Sequence, residues 1–310
     1  MVEAVRRAVT RSHEGEKYRN GESMGFVATA HEVENWHWRP GTAGGMLSEI
    51  LRIPFTTSGE FARINLPPCF ENPEEEVNGL VAIRRTYPSH YEMYELCAVR
   101  IETTFRDYTG MYDLALITSG DMPVTVGREL LGECKKMGRS TIVVDGHHVT
   151  GTTVREGGEH LVTISGELND TPEEPGTHEY NQLDLLAILN EKGVHFHNDP
   201  EVATLERIEK DFVVRSGTGT LSFTENANVP LHTIPILETG PIRYSLSMVE
   251  FTPMVRHGVI TEESGQRSED YLPYVLPRSY DLFSDPTPFH TSAGFLTPAE
   301  QDRLNGLLSK

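Results

Sequence analysis

A mainly β chain of the α+β class is predicted by three features: short β-type runs from Phe55 onward, explicit turn signals between them, and few helical patterns. The runs cover residues 80–83, 97–101, 112–117, 141–144 and 160–165. Turn signals stand at 119–123, Asp145-Gly146, 156–158 and 216–219, spacings that suit antiparallel pairing in a sandwich or barrel. The spacing predicts helices over 60–65 and over 126–137, where Val126, Leu130 and Leu131 face inward and a lysine pair closes the helix. A third apolar run, 183–189, reads equally as helix or strand.

Three segments follow from composition. Residues 1–45 are a polar extension packed by Trp36 and Trp38, and 46–260 form the main domain. Residues 261–310 are a Pro-rich extension, in which Thr297 and Glu300 make a capping box for a final short helix.

With 310 residues, 37% hydrophobic and 24% charged, the chain can bury a sizeable core, and it contains no apolar run long enough to span a bilayer. The N-terminus lacks the pattern of a secretory signal, so a cytoplasmic location is expected. Cys69, Cys97 and Cys134 form no CxxC pair, and reduced thiols are expected. A net charge of −19 repels phosphate backbones and anionic lipids, which argues against nucleic-acid and membrane partners. The same field repels an anionic substrate, so a site for one needs a local positive cluster, and adjacent Lys135 and Lys136 are one.

A lysine amine is a nucleophile only when neutral, so its pKa must fall through burial or a neighbouring cation. By itself a Lys-Lys pair is weak evidence, because such pairs are usually solvated charges at a helix end. His195 and His197 have the spacing that puts two imidazoles on one strand face, and His147/His148 and His31/His37 add further nitrogens. No ordered set completes a metal site, and none is expected. Cys134 is either a thiol activated by the lysines or a small buried residue. No glycine pattern indicates a nucleotide.

The wider context carries more. Pro123, the run Val126-Gly-Arg-Glu-Leu130, then Lys135-Lys-Met-Gly138 and a β run ending at Asp145 resemble the acetoacetate decarboxylase family. The similarity extends to 55–68, 149–152 and 219–235 and covers roughly residues 48–260. The resemblance implies a cone-like closed β-barrel, a homo-oligomer and no cofactor. It makes Lys135 the Schiff-base nucleophile and Lys136 its perturbing neighbour. Glu95 lies within one residue of the family's second glutamate and is matched to it as proton donor. The first glutamate falls near Arg84-Arg85, so an arginine could instead grip a substrate carboxylate, giving a larger or doubly acidic substrate. The family's arginine is matched, with a small shift, by Arg52. The expected activity is decarboxylation of a β-keto acid; an aldolase, dehydratase or hydratase using the same imine is the alternative. A non-catalytic binding protein would have no need of a desolvated amine.

Overall fold

The computed structural model describes residues 45–71, 73, 75–87, 93–131, 133–186, 199–252, 254–259 and 267–279. Twelve strands form one sheet: β1 (Met46–Thr57), β2 (Val77–Thr86), β3 (Tyr94–Phe105), β4 (Tyr108–Thr118), β5 (Lys135–Asp145), β6 (His148–Arg155), β7 (His160–Leu168), β8 (Thr177–Leu186), β9 (Glu201–Phe223), β10 (Glu238–Thr239), β11 (Ile242–Phe251) and β12 (Val255–Val259). Their order is β10-β1-β11-β9-β7-β6-β5-β4-β3-β2, and β1 also pairs with β2 at the far end of that order. Pairings are antiparallel except β4 with β5 and β4 with β8. The helices α1 (Gly59–Asn65), α2 (Asp121–Thr125) and α3 (Leu272–Ser279) are short.

Period-2 alternation sorts the side chains into two environments. On β3, Cys97, Val99 and Ile101 enter the main apolar core, together with Leu51, Ile53 and Phe55 of β1 and Val81 and Ile83 of β2. The other face of these strands carries Arg52, Ala82, Arg84, Leu96, Ala98 and Arg100, all buried. The sheet therefore has one apolar face and one lined by buried charge. Helix α1 covers the apolar face through Ala62, and Ser58 caps it by accepting from the Phe61 N–H at 3.2 Å.

Every β run named from the sequence is a strand, and 60–65 is helical. Two expectations differ, and the open reading at 183 is resolved. The lysines do not close a helix: α2 passes into a π-helical turn, Val126–Leu131, and Lys135 opens β5. Residues 216–219 are not a turn but lie inside β9, a 23-residue strand. Its glycines are there because the neighbouring strand is close; a Cβ on Gly217 would sit 1.9 Å from the Glu167 carbonyl oxygen. The ambiguous run at 183 is strand as far as Leu186. Within the Pro-rich extension, Tyr271 and Val275 join the main core, so this part is packed rather than trailing. Trp36, Trp38, His31, His37, His195, His197 and the helix at Thr297 lie outside the described residues.

Candidate active site

One row of paired residues crosses the charged face. Arg52 stands opposite Ala82, Ala82 opposite Ala98, Ala98 opposite Leu116 and Leu116 opposite Lys135. Paired residues share a face, so Arg52 and Lys135 lie on the same charged face, the chamber side of the sheet, and the two alanines between them keep that row low. The next row places Ile50, Arg84 and Leu96 side by side. Tyr94, Leu96, Ala98, Leu116 and Cys134 form a small apolar wall beside Lys135.

Lys135 is 16% exposed, and its Nζ lies 2.5 Å from Oε2 of Glu133, itself 7% exposed. Burial works to lower the Lys135 pKa, yet the charge and hydrogen bond of Glu133 outweigh it and raise the value above the ordinary lysine range, with smaller contributions from Tyr94 and Asp184. The resting amine is thus a paired ammonium. Glu133 is set by the end of the π-helical turn, where its N–H donates to the Gly127 carbonyl at 2.9 Å. A Cβ on Gly127 would come within 2.4 Å of Lys135 Cδ and 2.6 Å of Glu133 Oε2, so the ion pair fits only against a bare backbone.

Asp184, on β8, is the second carboxyl in this neighbourhood. Burial first, then the charges of Glu133 and Asp113, push its pKa up to about 8, so at neutral pH it holds its proton. Gln182 positions it, donating from Nε2 to both carboxyl oxygens at 3.1 Å. The Gln182 Oε1 in turn accepts from Arg100 Nη2 at 3.2 Å, and Arg100 Nε donates to Asp113 at 2.5 Å.

A separate cluster lies toward β1, β9 and β11. Arg52 pairs with Glu209 and donates to Ser245 Oγ at 3.4 Å. Arg207 Nε is 3.0 Å from the other Glu209 oxygen. Burial favours protonated Glu209, but Arg52, Arg207 and Arg84 hold its pKa below the usual carboxylate range. Burial and repulsion from Arg100 lower the Arg207 pKa to about 9.

Of the residues expected from the sequence, Lys135, Arg84 and Arg52 face this chamber. Lys136 does not. Pairing with Ile117 directs it to the apolar face, where its Nζ donates to the Asn228 carbonyl at 2.5 Å and lines a cavity of about 260 Å³ with Phe61, Ile117, Leu231 and Ile234. Adjacent residues on a strand point to opposite sides, so the second ammonium sits behind the sheet. Glu95 is displaced for the same reason. Its neighbour Tyr94 faces the chamber, accepting from Arg84 Nη2 at 3.0 Å, whereas Glu95 shares the face of Cys97. Glu133 and Asp184 occupy the neighbourhood expected of it.

Cys134 is a buried thiol whose pKa burial pushes up to about 11, with Arg278 Nη2 donating to its sulfur at 2.9 Å; it is a packed residue, not a nucleophile. All three cysteines are free. His147 and His148 are exposed and pair with Asp170 and Glu167. Among the described residues no group of three His, Cys, Asp or Glu side chains is placed to hold a metal, and no helix is long and apolar enough to cross a membrane.

Comparison with known proteins places this geometry. A curated acetoacetate decarboxylase of Chromobacterium violaceum is 29% identical over 161 residues, covering 46% of this chain and 59% of that protein's length. The solved acetoacetate decarboxylase of Legionella pneumophila superposes with a TM-score of 0.61 at 15% identity, over 76% of this chain and 98% of that one. The enduracididine biosynthesis enzyme MppR, in complex with the condensation product of pyruvate and imidazole 4-carboxaldehyde, superposes with a TM-score of 0.59 at 13% identity, over 76% and 96%. These two likenesses establish the fold. The family model for acetoacetate decarboxylase matches residues 37–261, and on that match the chain belongs to the acetoacetate decarboxylase family.

Proposed function

We propose that this protein is a Schiff-base carboxy-lyase that decarboxylates a β-keto acid through Lys135. The observation that carries the reading is the buried Lys135–Glu133 pair beside a carboxyl group that keeps its proton to about pH 8. Glu133 takes a proton from the Lys135 ammonium, and the freed amine attacks the substrate ketone. Glu133 returns that proton to the carbinolamine hydroxyl, which leaves as water to give an imine cation, and the cation receives the electron pair as the C–C bond to the carboxylate breaks and carbon dioxide leaves. Asp184 protonates the resulting enamine at carbon, and hydrolysis of the new imine returns the lysine. Arg52, neutralised by Glu209, supports the wall rather than the ligand.

The sheet that builds this chamber is read as a cone-like closed barrel, a view supported by β1 pairing with β11 on one side and β2 on the other. We also assign the protein to a cytoplasmic homo-oligomer, on family resemblance. A second reading, aldol, dehydration or hydration chemistry from the same imine, is favoured by Arg84 standing where the family pattern has a glutamate.

Carbon dioxide release from acetoacetate and larger β-keto acids tests the proposal. The wild-type protein is expected to release it and Lys135→Arg to release none above the uncatalysed rate. Equal release by the variant would refute the role of Lys135; adduct formation without release would select the second reading.

A further inference from the structure

Four arginines are buried on the charged face, and three have carboxylate partners: Arg52 and Arg207 share Glu209, and Arg100 holds Asp113. Arg84 is 6% exposed and has no carboxylate partner among the described residues. Its Nη2 donates to the Tyr94 hydroxyl, while Nε and Nη1 have no acceptor among the described residues. Its guanidinium carbon lies 5.7 Å from the Tyr94 ring centroid and 5.8 Å from that of Phe251, so two aromatic rings hold the group without neutralising it. Its charge also reaches Glu209, on which Arg52 and Arg207 already converge. A buried guanidinium with no carboxylate of its own among the described residues is costly to keep. Nε and Nη1 do not share an edge of the guanidinium, but Nη2 carries a second N–H beside the one given to Tyr94, and with Nε or with Nη1 it makes a two-donor fork for an incoming carboxylate.

Tyr94 connects this group to the nucleophile, since its hydroxyl accepts from Arg84 and its ring belongs to the wall beside Lys135. Arg84 is on β2 and Lys135 on β5, three strand spacings apart, or about 14 Å along a sheet that curves around the chamber.

We propose that Arg84 receives a second substrate carboxylate, so that the preferred substrate is a keto acid bearing two carboxylates, one at each side of the reacting carbonyl. The carboxylate site stands on Arg84 alone; the keto acid chemistry rests on the Schiff-base reading of Lys135.

Calorimetric titration of the full chain with glutarate and with butyrate separates the two, because neither forms an imine. Glutarate is expected to bind about ten- to hundredfold more tightly, the worth of one charge-assisted carboxylate contact. Arg84→Gln is expected to bring that margin close to one, and Arg84→Lys to keep only part of it by retaining charge without the fork. No margin in the wild type, or an unchanged margin in both variants, would overturn the proposal. Should Arg84→Gln not fold, Arg84→Lys decides alone: a full margin there overturns the fork assignment. Borohydride trapping with 3-oxopentanedioate and acetoacetate then reads the same preference at Lys135. Failure of both ketones to trap, with the glutarate margin intact, would remove the Schiff-base reading and leave the carboxylate site standing.

Discussion

Lys135 and Lys136 are one peptide bond apart and occupy different chemical worlds. Lys135 lies on the face of buried charge, where its ammonium pairs with Glu133 and where burial raises the pKa of Asp184. Lys136 enters an apolar cavity behind the sheet and donates to a backbone carbonyl. Adjacent residues on a strand face opposite sides, and the groups that act on Lys135 are Glu133, two residues before it, and Tyr94 and Asp184 on other strands. In the proposed mechanism, activation moves a proton from a raised-pKa ammonium to a carboxylate and does not draw on repulsion between adjacent cations.

The largest expected effect that separates the two faces is at Asp184. Replacing it by Asn removes the acid that protonates the enamine while keeping the contact with Gln182, so turnover is expected to fall about 10²- to 10⁴-fold with adduct formation at Lys135 retained. Steady-state rates beside trapping yields check this; turnover within threefold of wild type would transfer the acid to another group.

The next effect is one of pH. Glu133 raises the Lys135 pKa, so the neutral amine accumulates only as pH rises toward that value. In Glu133→Gln the largest opposing charge is gone and burial outweighs the smaller contributions of Tyr94 and Asp184, which lowers the pKa. The rising limb of trapping rate against pH is therefore expected to move to lower pH by about one to three units. An unmoved limb, or one displaced upward, would show that Glu133 does not set the protonation of Lys135.

The smallest effect is predicted for the opposite face. Lys136→Met keeps a long apolar stem in the cavity and removes only the ammonium. The pH limb for Lys135 is expected to stay in place, and a shift of a full unit would restore the adjacent cation as the activator.

These contrasts also mark how much the sequence could reveal. The strands at 80–83, 97–101 and 112–117 were legible because burial on the apolar face leaves a β-type run in each. The helix over 126–137 was not: Val126, Leu130 and Leu131 repeat with helical spacing, while the chain leaves its π-helical turn before Glu133 and extends at Lys135. Reading Lys135 on a helix hides the consequence of strand alternation, which sends Lys136 away. Glu95 illustrates the same sensitivity, for a shift of one position along β3 exchanges a chamber residue for one on the apolar face. Asp184 sat within an apolar run of ambiguous class, and only as a strand residue does it align with Gln182 on the charged face. Glu133 could have been found from its place two residues before the lysine, but nothing in the local pattern announces that Gly127 leaves room for the pair. Arg84 was visible as a charge in a β run; that it alone among four buried arginines lacks a carboxylate among the described residues requires the cross-strand register.

The most direct test of the account is peptide-mapped borohydride trapping. Full-length protein is reduced in the presence of acetoacetate, digested, and the adduct located by mass spectrometry. The account predicts the added mass on Lys135 alone, lost in Lys135→Arg and retained in Lys136→Met. An adduct on Lys136, or none on either lysine with any keto acid, would contradict it.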